Sequence, residues 1–524
     1  MLMLAATALG GRGIARAQDV PSPAADAGAP AVSSPDPARV PQAPSDGRVG
    51  ESATSATSGT TAPPQTSGDS PAGGSDGAAG IFEAGLAGDA GTPTGPSPNP
   101  LPAGYTLSGY LRGDVFVGKV PGYATADTKA AYSELSLALK TPKGPHGDGY
   151  AEARVRYGLQ GAEQQTFVDL REAYVNTYLG PLDLRLGKQI VVWGRADALN
   201  PTNNLTPFDL RIRSPIEDDR RTGNFGARAF LKLAPLRLEG VWMPLYAASA
   251  LPAVGLPAFV TFGAPVYPPP ELQNGLLAGR VHLELPAFEL SVSYLHGSAP
   301  LPGLTLTGLT FDPDNPAVHV SRTAYTHHVL GFDFSTALGD VVALRAEAAY
   351  RRPVDYQNRP HAPRPDLQYV VGLDRAFGPV NVIAQYLGRT VFDWQKQNGP
   401  ETPLDPAILR NMRTDFLEGA ATMGINQELG RTNQILFQQT ARVQHLVTAR
   451  LEWLAAHDTL TLSALGLVNA TTGEWLVAPR AGWRLSDTLI AYLGAEIFRG
   501  PRGTLFGLID EVLSAGYTEL RVMF

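Results

Sequence analysis

LSAGYTELRVMF, residues 513–524, places Thr518, Leu520, Val522 and Phe524 on one face of an extended chain and Glu519 and Arg521 on the other. Side chains of a strand alternate with a period of two, so the segment has an apolar face and a charged face. The closing strand of a bacterial outer-membrane barrel reads this way, apolar toward lipid, polar toward the lumen, with an aromatic at the interface. An edge strand of a soluble sheet reads the same way. The decision rests on whether the rest of the chain repeats the pattern.

Upstream the pattern recurs. Leu182, Leu184 and Leu186 oppose Asp183 and Arg185; Leu236, Leu238 and Trp242 oppose Arg237 and Glu239; Phe288, Leu290, Val292 and Tyr294 oppose Glu289, Ser291 and Ser293. Val342, Leu344, Ala346, Ala348 and Tyr350 oppose Arg345 and Glu347, and Leu489, Ala491, Leu493, Ala495 and Ile497 form one more apolar face. Each segment has about the 10 to 12 residues that a tilted strand needs to cross a bilayer. About 18 such strands begin near residues 105, 131, 149, 168, 182, 223, 236, 275, 287, 326, 341, 367, 380, 444, 459, 474, 488 and 513, an even number, as single-chain bacterial barrels have.

Gly, Pro and Asp set turn dihedrals at low cost, and they mark short turns at Gly144, Gly180-Pro181, Ala234-Pro235, Pro286, Gly339, Gly378-Pro379, His457 and Asp487. Long connections run over 196–223, 247–273, 297–325, 351–365 and 389–444. If the strand at Tyr105 leaves the periplasm, every short turn and Phe524 fall on the periplasmic side, the loop asymmetry of outer-membrane barrels. A soluble sandwich or propeller also alternates, but so many strands would need propeller repeats, and none is found. The expected fold is therefore all-β: a transmembrane up-and-down antiparallel barrel over residues 102–524.

The 524 residues include no cysteine, which removes disulfides, thiol catalysis and cysteine-based metal sites together. No apolar run reaches the length of a helical span. Residues 1–17 read as an export signal with a small-x-small cleavage site at Ala15-Arg16-Ala17. Residues 18–101 are rich in Pro, Ala, Gly and Ser, with nine acids against two arginines; such a stretch cannot bury enough surface to offset its ordering entropy and is expected to be a disordered periplasmic tail. The tail accounts for the chain's net charge of −7 and leaves the barrel near neutral, with no basic footprint for nucleic acid. Low complexity ahead of the strands also argues against an energy-coupled transporter with a folded plug.

The polar parity, taken as inward, supplies a mixed-charge lumen wall that includes Glu152, Arg154, Arg156, Arg185, Arg228, Arg345, Glu347, Arg450 and Arg480. Opposite charges two apart on one strand can pair, so most of this wall is expected to be a hydrated structural network. A barrel of 16 to 18 strands encloses an aqueous channel of roughly porin width unless something fills it. The loop WGRADALNPTNNLTPFDLRIRSPIEDDRRTG, 193–223, is stiffened by Pro201, Pro207 and Pro215. It carries the candidate constriction and selectivity residues Asp197, Asp209, Arg211, Arg213, Asp218, Asp219, Arg220 and Arg221. A second candidate is a helix over 406–423, where Ile408, Leu409, Met412, Phe416 and Leu417 fall at helical spacing after Asp405-Pro406; it lies in or over the mouth, or caps it.

REAYVNTYLGPLDLRLGKQIVVWGRADALNPTNNLTPFD, residues 171–209, resembles the signature region of porin-like outer-membrane families, specifically an uncharacterised group related in pattern to alginate-export and phosphate-selective porins. Glu172, Tyr174, Gly187, Gln189, Trp193, Gly194, Asn200, Pro201 and Asp209 match; Lys188 stands where Arg is usual, and the Asn-Pro to Asp spacing is longer. The resemblance implies an outer-membrane channel but no substrate, because the lysine-rich ladder of the phosphate porins has no counterpart here. The function expected is passive or substrate-biased diffusion of small polar or anionic solutes or oligosaccharides, with membrane lipid and a small hydrophilic solute as partners. The alternative is a structural barrel that recruits a periplasmic partner through residues 18–101. No catalytic, cofactor-binding or metal-binding residues are expected: there is no nucleophile elbow, and the nine histidines are scattered, His327-His328 reading as strand-end polarity.

Overall fold

Alternation becomes closure once neighbouring segments pair. The computed structural model describes residues 99–100, 104–119, 125–160, 163–197, 199–251, 259–310, 317–339, 342–398 and 415–524. The expected export signal, the tail before residue 99 and the first half of the expected helix lie outside these residues.

The strands are Asn99–Pro100 (β1), Thr106–Lys119 (β2), Ala126–Lys140 (β3), Gly147–Gln160 (β4), Glu163–Leu179 (β5), Leu182–Gln189 (β6), Asn224–Leu233 (β7), Leu236–Met243 (β8) and Val260–Phe262 (β9). Then come Leu276–Glu284 (β10), Phe288–Ser298 (β11), Gly303–Thr310 (β12), Ala317–Thr323 (β13), Thr326–Leu338 (β14), Val342–Pro353 (β15), Asp366–Phe377 (β16) and Val380–Val391 (β17). The last are Val443–Ala455 (β18), Leu460–Asn469 (β19), Glu474–Arg484 (β20), Leu489–Arg499 (β21) and Ala515–Met523 (β22). Apart from β1, β9, β12 and β13 these make a closed antiparallel barrel of 18 strands, sealed where β22 pairs with β2 from Met523 opposite Tyr110 to Gly516 opposite Val117. Every expected strand is present. All eight expected short turns gather at the end where β2 begins and β22 finishes.

The outer face is apolar. Val168 is 70% exposed, Leu493 66% and Leu520 51%, each a member of a belt far larger than the apolar patches soluble proteins leave open. Trp453, Trp483 and Phe377 flank the belt near the short turns, while Trp242, Tyr294, Tyr386 and Trp475 flank it near the long loops, as aromatic girdles do at the two membrane interfaces.

The inner face departs from simple polar-inward alternation. Toward the short turns it is charged, as expected, but toward the long loops it is lined by buried Val241, Met243, Leu276, Leu295, Val329, Leu446, Leu465, Leu467 and Leu476. These side chains meet segments folded back into the barrel, so that this part of the inner face is protein interior and needs apolar side chains. Two helices take part. The first, Asp415–Leu436 (α1), overlaps the described part of the expected 406–423 and extends beyond it; its Ile425 and Leu429 pack on β9, β12 and β13, a small three-stranded sheet built by the long loops, while Ile435 reaches the barrel core. The second, Leu505–Leu513 (α2), was not anticipated: Thr504 caps it, Leu505, Phe506 and Ile509 enter the same core, and Lys129 Nζ donates to the carbonyls of Glu511 and Ser514 at its other end, at 2.6 and 2.8 Å.

Candidate functional site: a loop braced across the lumen

The loop after β6 turns inward because its first residues are apolar and its polar ones find partners there. Val191, Trp193 and Leu205 join the core formed by β8, β10, β11, β14 and β15. Trp193 Nε1 donates to Glu239 at 2.9 Å, and Thr206 Oγ1 both accepts from Val191 N (2.9 Å) and donates to its carbonyl (2.6 Å), clasping the loop on itself. Asn200 donates to the Trp193 carbonyl at 2.5 Å and accepts from Thr202. Gly194 sits at φ +102, where a Cβ would overlap Asn200 and the Glu347 carboxylate, so only glycine fits this turn.

Ion pairs then tie the loop to opposite walls. On one side Arg195 Nε meets Asp333 of β14 at 2.8 Å, its Nη1 meets Glu289 of β11, and the Arg195 and Ala196 amides donate to Glu347 of β15. Asp197 reaches Arg450 of β18 at 2.9 Å. On the other side Asp219 takes Arg112 of β2 at 2.7 Å and Arg154 of β4 at 2.6 Å, and Arg213 pairs with Glu496 of β21. Since β2 and β14 lie on opposite sides of the barrel, residues 190–223 form a brace across the lumen.

The expected constriction residues are all in this brace, but most face partners. Asp209 pairs with Arg211 (2.7 Å), Arg171 with Asp218 (2.8 Å), Arg221 with Glu217, and Arg220 donates to the Ser214 carbonyl (2.8 Å); Arg211 and Asp218 keep exposed side chains, at 59% and 67%. Along the wall, Arg154 pairs with Glu152 (2.7 Å), Arg156 with Glu134 (2.6 Å), Arg228 with Glu239 (2.7 Å) and Arg345 with Asp374 (3.3 Å), while Arg185 and Arg480 lie over Tyr174 and Tyr492, each 4.0 Å from the ring centre. Sequence reasoning missed Arg195, the most heavily used anchor, although it follows Trp193-Gly194. It also missed a network at the mouth, where Arg351 and Arg389 both bind Asp366, at 2.7 and 2.8 Å, and Arg389 donates to the carbonyls of Phe437 and Gln438 just after α1.

The two acidic anchors of the brace are electrostatically unlike. Burial alone would push Asp219 up, but Arg112 and then Arg154 outweigh it and hold its carboxyl well below the usual range. At Asp197 burial wins over Arg450 and Arg345, and its carboxyl lies above the ordinary value.

The fold and this site define a membrane-spanning β-barrel whose own loop braces its lumen. Residues 122–215 match a family described as a protein of unknown function, DUF1302, a stretch that includes residues 171–209. No curated protein matches the chain. Similar solved structures include Acinetobacter baumannii OccAB3, 11% identical, covering 80% of this chain and 98% of that one with a TM-score of 0.46. Pseudomonas aeruginosa OccK9 (OpdG) is 10% identical over 80% and 97%, TM-score 0.46, and the P. aeruginosa outer membrane protein OpdK is 10% identical over 80% and 98%, TM-score 0.45.

Proposed function

We propose that this chain is an outer-membrane channel for passive, weakly charge-biased diffusion of small hydrophilic solutes, polar or anionic, with the brace as its constriction and residues 18–101 in the periplasm. The observation that carries the reading is the brace itself: a loop held across a closed barrel by ion pairs to strands on both sides. The half of the lumen nearest the short turns supports it. There Lys232–Asp183, Arg237–Glu284 and Arg345–Asp374 pairs leave both partners partly exposed, a hydrated wall of balanced charge in which Asp197, Arg450 and Arg345 would do the discriminating. The apolar packing toward the long loops favours a second reading, a structural or assembly barrel that recruits a periplasmic partner through its tail. Planar-bilayer recordings separate the two. Conductance steps in the native protein that enlarge on deletion of 196–222 support the channel; a folded barrel that is silent with and without the deletion supports the second reading.

A further inference from the structure

The outer face carries a cleft, lined by an arginine without an ion-pair partner among the described residues, that a channel does not need. At the long-loop end, His296 of β11 lies opposite His328 of β14, and His328 lies opposite Arg352 of β15. The two imidazoles stack with ring centres 4.4 Å apart, and Tyr294 Oη is 2.7 Å from His328 Nδ1. His328 and Arg352 then open into a cleft of about 330 Å3, shared with Val354, Asp355 and Tyr356. Parity fixes its direction: Val292, Tyr294, Leu330 and Tyr350 on the same faces belong to the exposed apolar belt, whereas His327 and Arg351, one residue along, face inward to the Asp366 network.

Two features single out an anion. Arg352 is exposed and has no carboxylate within ion-pair distance among the described residues, while the nearby acids are engaged: Asp355 with Arg359 and Asn358, Asp393 with the Tyr356 hydroxyl. The belt below the cleft indicates where the anion comes from. A solute using the lumen passes on the other side of the wall, whereas a lipid lying against Leu330 and Tyr350 brings its headgroup level with Arg352. We propose that this cleft binds a phosphorylated lipid headgroup of the outer leaflet, with Arg352 as the charge partner, His328 as a hydrogen-bonding group and His296 as the ring stacked behind His328 that positions it.

The test is binding by the full-length, detergent-solubilised protein, read by native mass spectrometry. The probes are bis-phosphorylated lipid A, the same lipid with its phosphates removed, and inorganic phosphate. Adducts with the phosphorylated lipid should be about tenfold weaker in Arg352→Ala and in Arg352→Gln, the scale of a lost charge-assisted hydrogen bond, and His328→Ala should weaken them less. Channel conductance should stay as in the native protein, which certifies an intact barrel; where no conductance exists, the heat-modifiable shift on gels serves. Equal binding of the dephosphorylated lipid, equal binding by the Arg352 variants, or saturation by inorganic phosphate alone would each overturn the proposal.

Discussion

Asp219 joins two arginines from different strands, and it is the residue on which one end of the brace depends. Replacing it with Asn removes the anion that Arg112 and Arg154 share and leaves them to Glu134 and Glu152, the loss of charge-assisted hydrogen bonds expected to cost about 1.5–3 kcal/mol. D219N should therefore convert to its heat-denatured gel form at a lower temperature than the native protein; an unchanged transition would show that the pair does not hold the loop. The pH dependence has opposite signs at the two acidic anchors. Asp219, with its carboxyl depressed, contributes stability above its unfolded value and loses it only when the pH falls through the lower folded value. Asp197, raised above 3.8, is penalised when ionised, so its contribution is fullest in acid and declines as the pH rises through its folded value. On acidification Asp197 neutralises first, removing a negative charge beside Arg450 and Arg345 while Asp219 still anchors the loop. The reversal potential should move toward anion preference as the pH falls through the raised folded value of Asp197, and Asp197→Asn should show that preference at neutral pH and lose the dependence; identical titrations in both proteins would exclude Asp197 from the pore.

Elements differ in how much of them is written locally. The barrel strands were legible because period-two alternation and turn residues are properties of adjacent positions. The strands β9, β12 and β13 were not, since they are short, lack a lipid face and are stabilised by α1 packing on them. Helix α2 left a signal that was passed over, Thr504 ahead of Leu505, Leu508 and Ile509. The candidate site was half legible. The charge-rich, proline-stiffened loop is legible in the sequence, but the wall residues that its charges pair with are not, because they lie far away in sequence: Arg195 and Asp333 are 138 residues apart. The brace also depends on its hinge. Gly194→Ala puts a methyl group into Asn200 and Glu347 and strains a backbone at positive φ; the variant should fold yet give noisier and larger conductance steps, and steps identical to the native ones would mean the hinge tolerates a side chain.

At the scale of the whole molecule the proposed path through the lumen meets two obstacles in series, the brace at mid-barrel and then the lid of α1 with its three-stranded sheet toward the long loops. Resistances in series set the response to mutation: relieving one barrier leaves the other limiting. Asn433 is the stitch between helix and sheet, donating to the Leu304 carbonyl at 2.9 Å and accepting from its amide at 2.8 Å. Asn433→Ala should loosen the lid with little effect on conductance while the brace is present, because the mid-barrel barrier still governs flow. Deleting 196–222 alone should enlarge the steps only as far as the lid allows. The two changes together should raise conductance by more than the product of their separate effects, toward that of a lumen of this strand number with nothing across it. Single-channel recordings on the four proteins decide the matter. A purely multiplicative result would mean that the barriers do not share one path, and that solute enters beside the lid rather than through it.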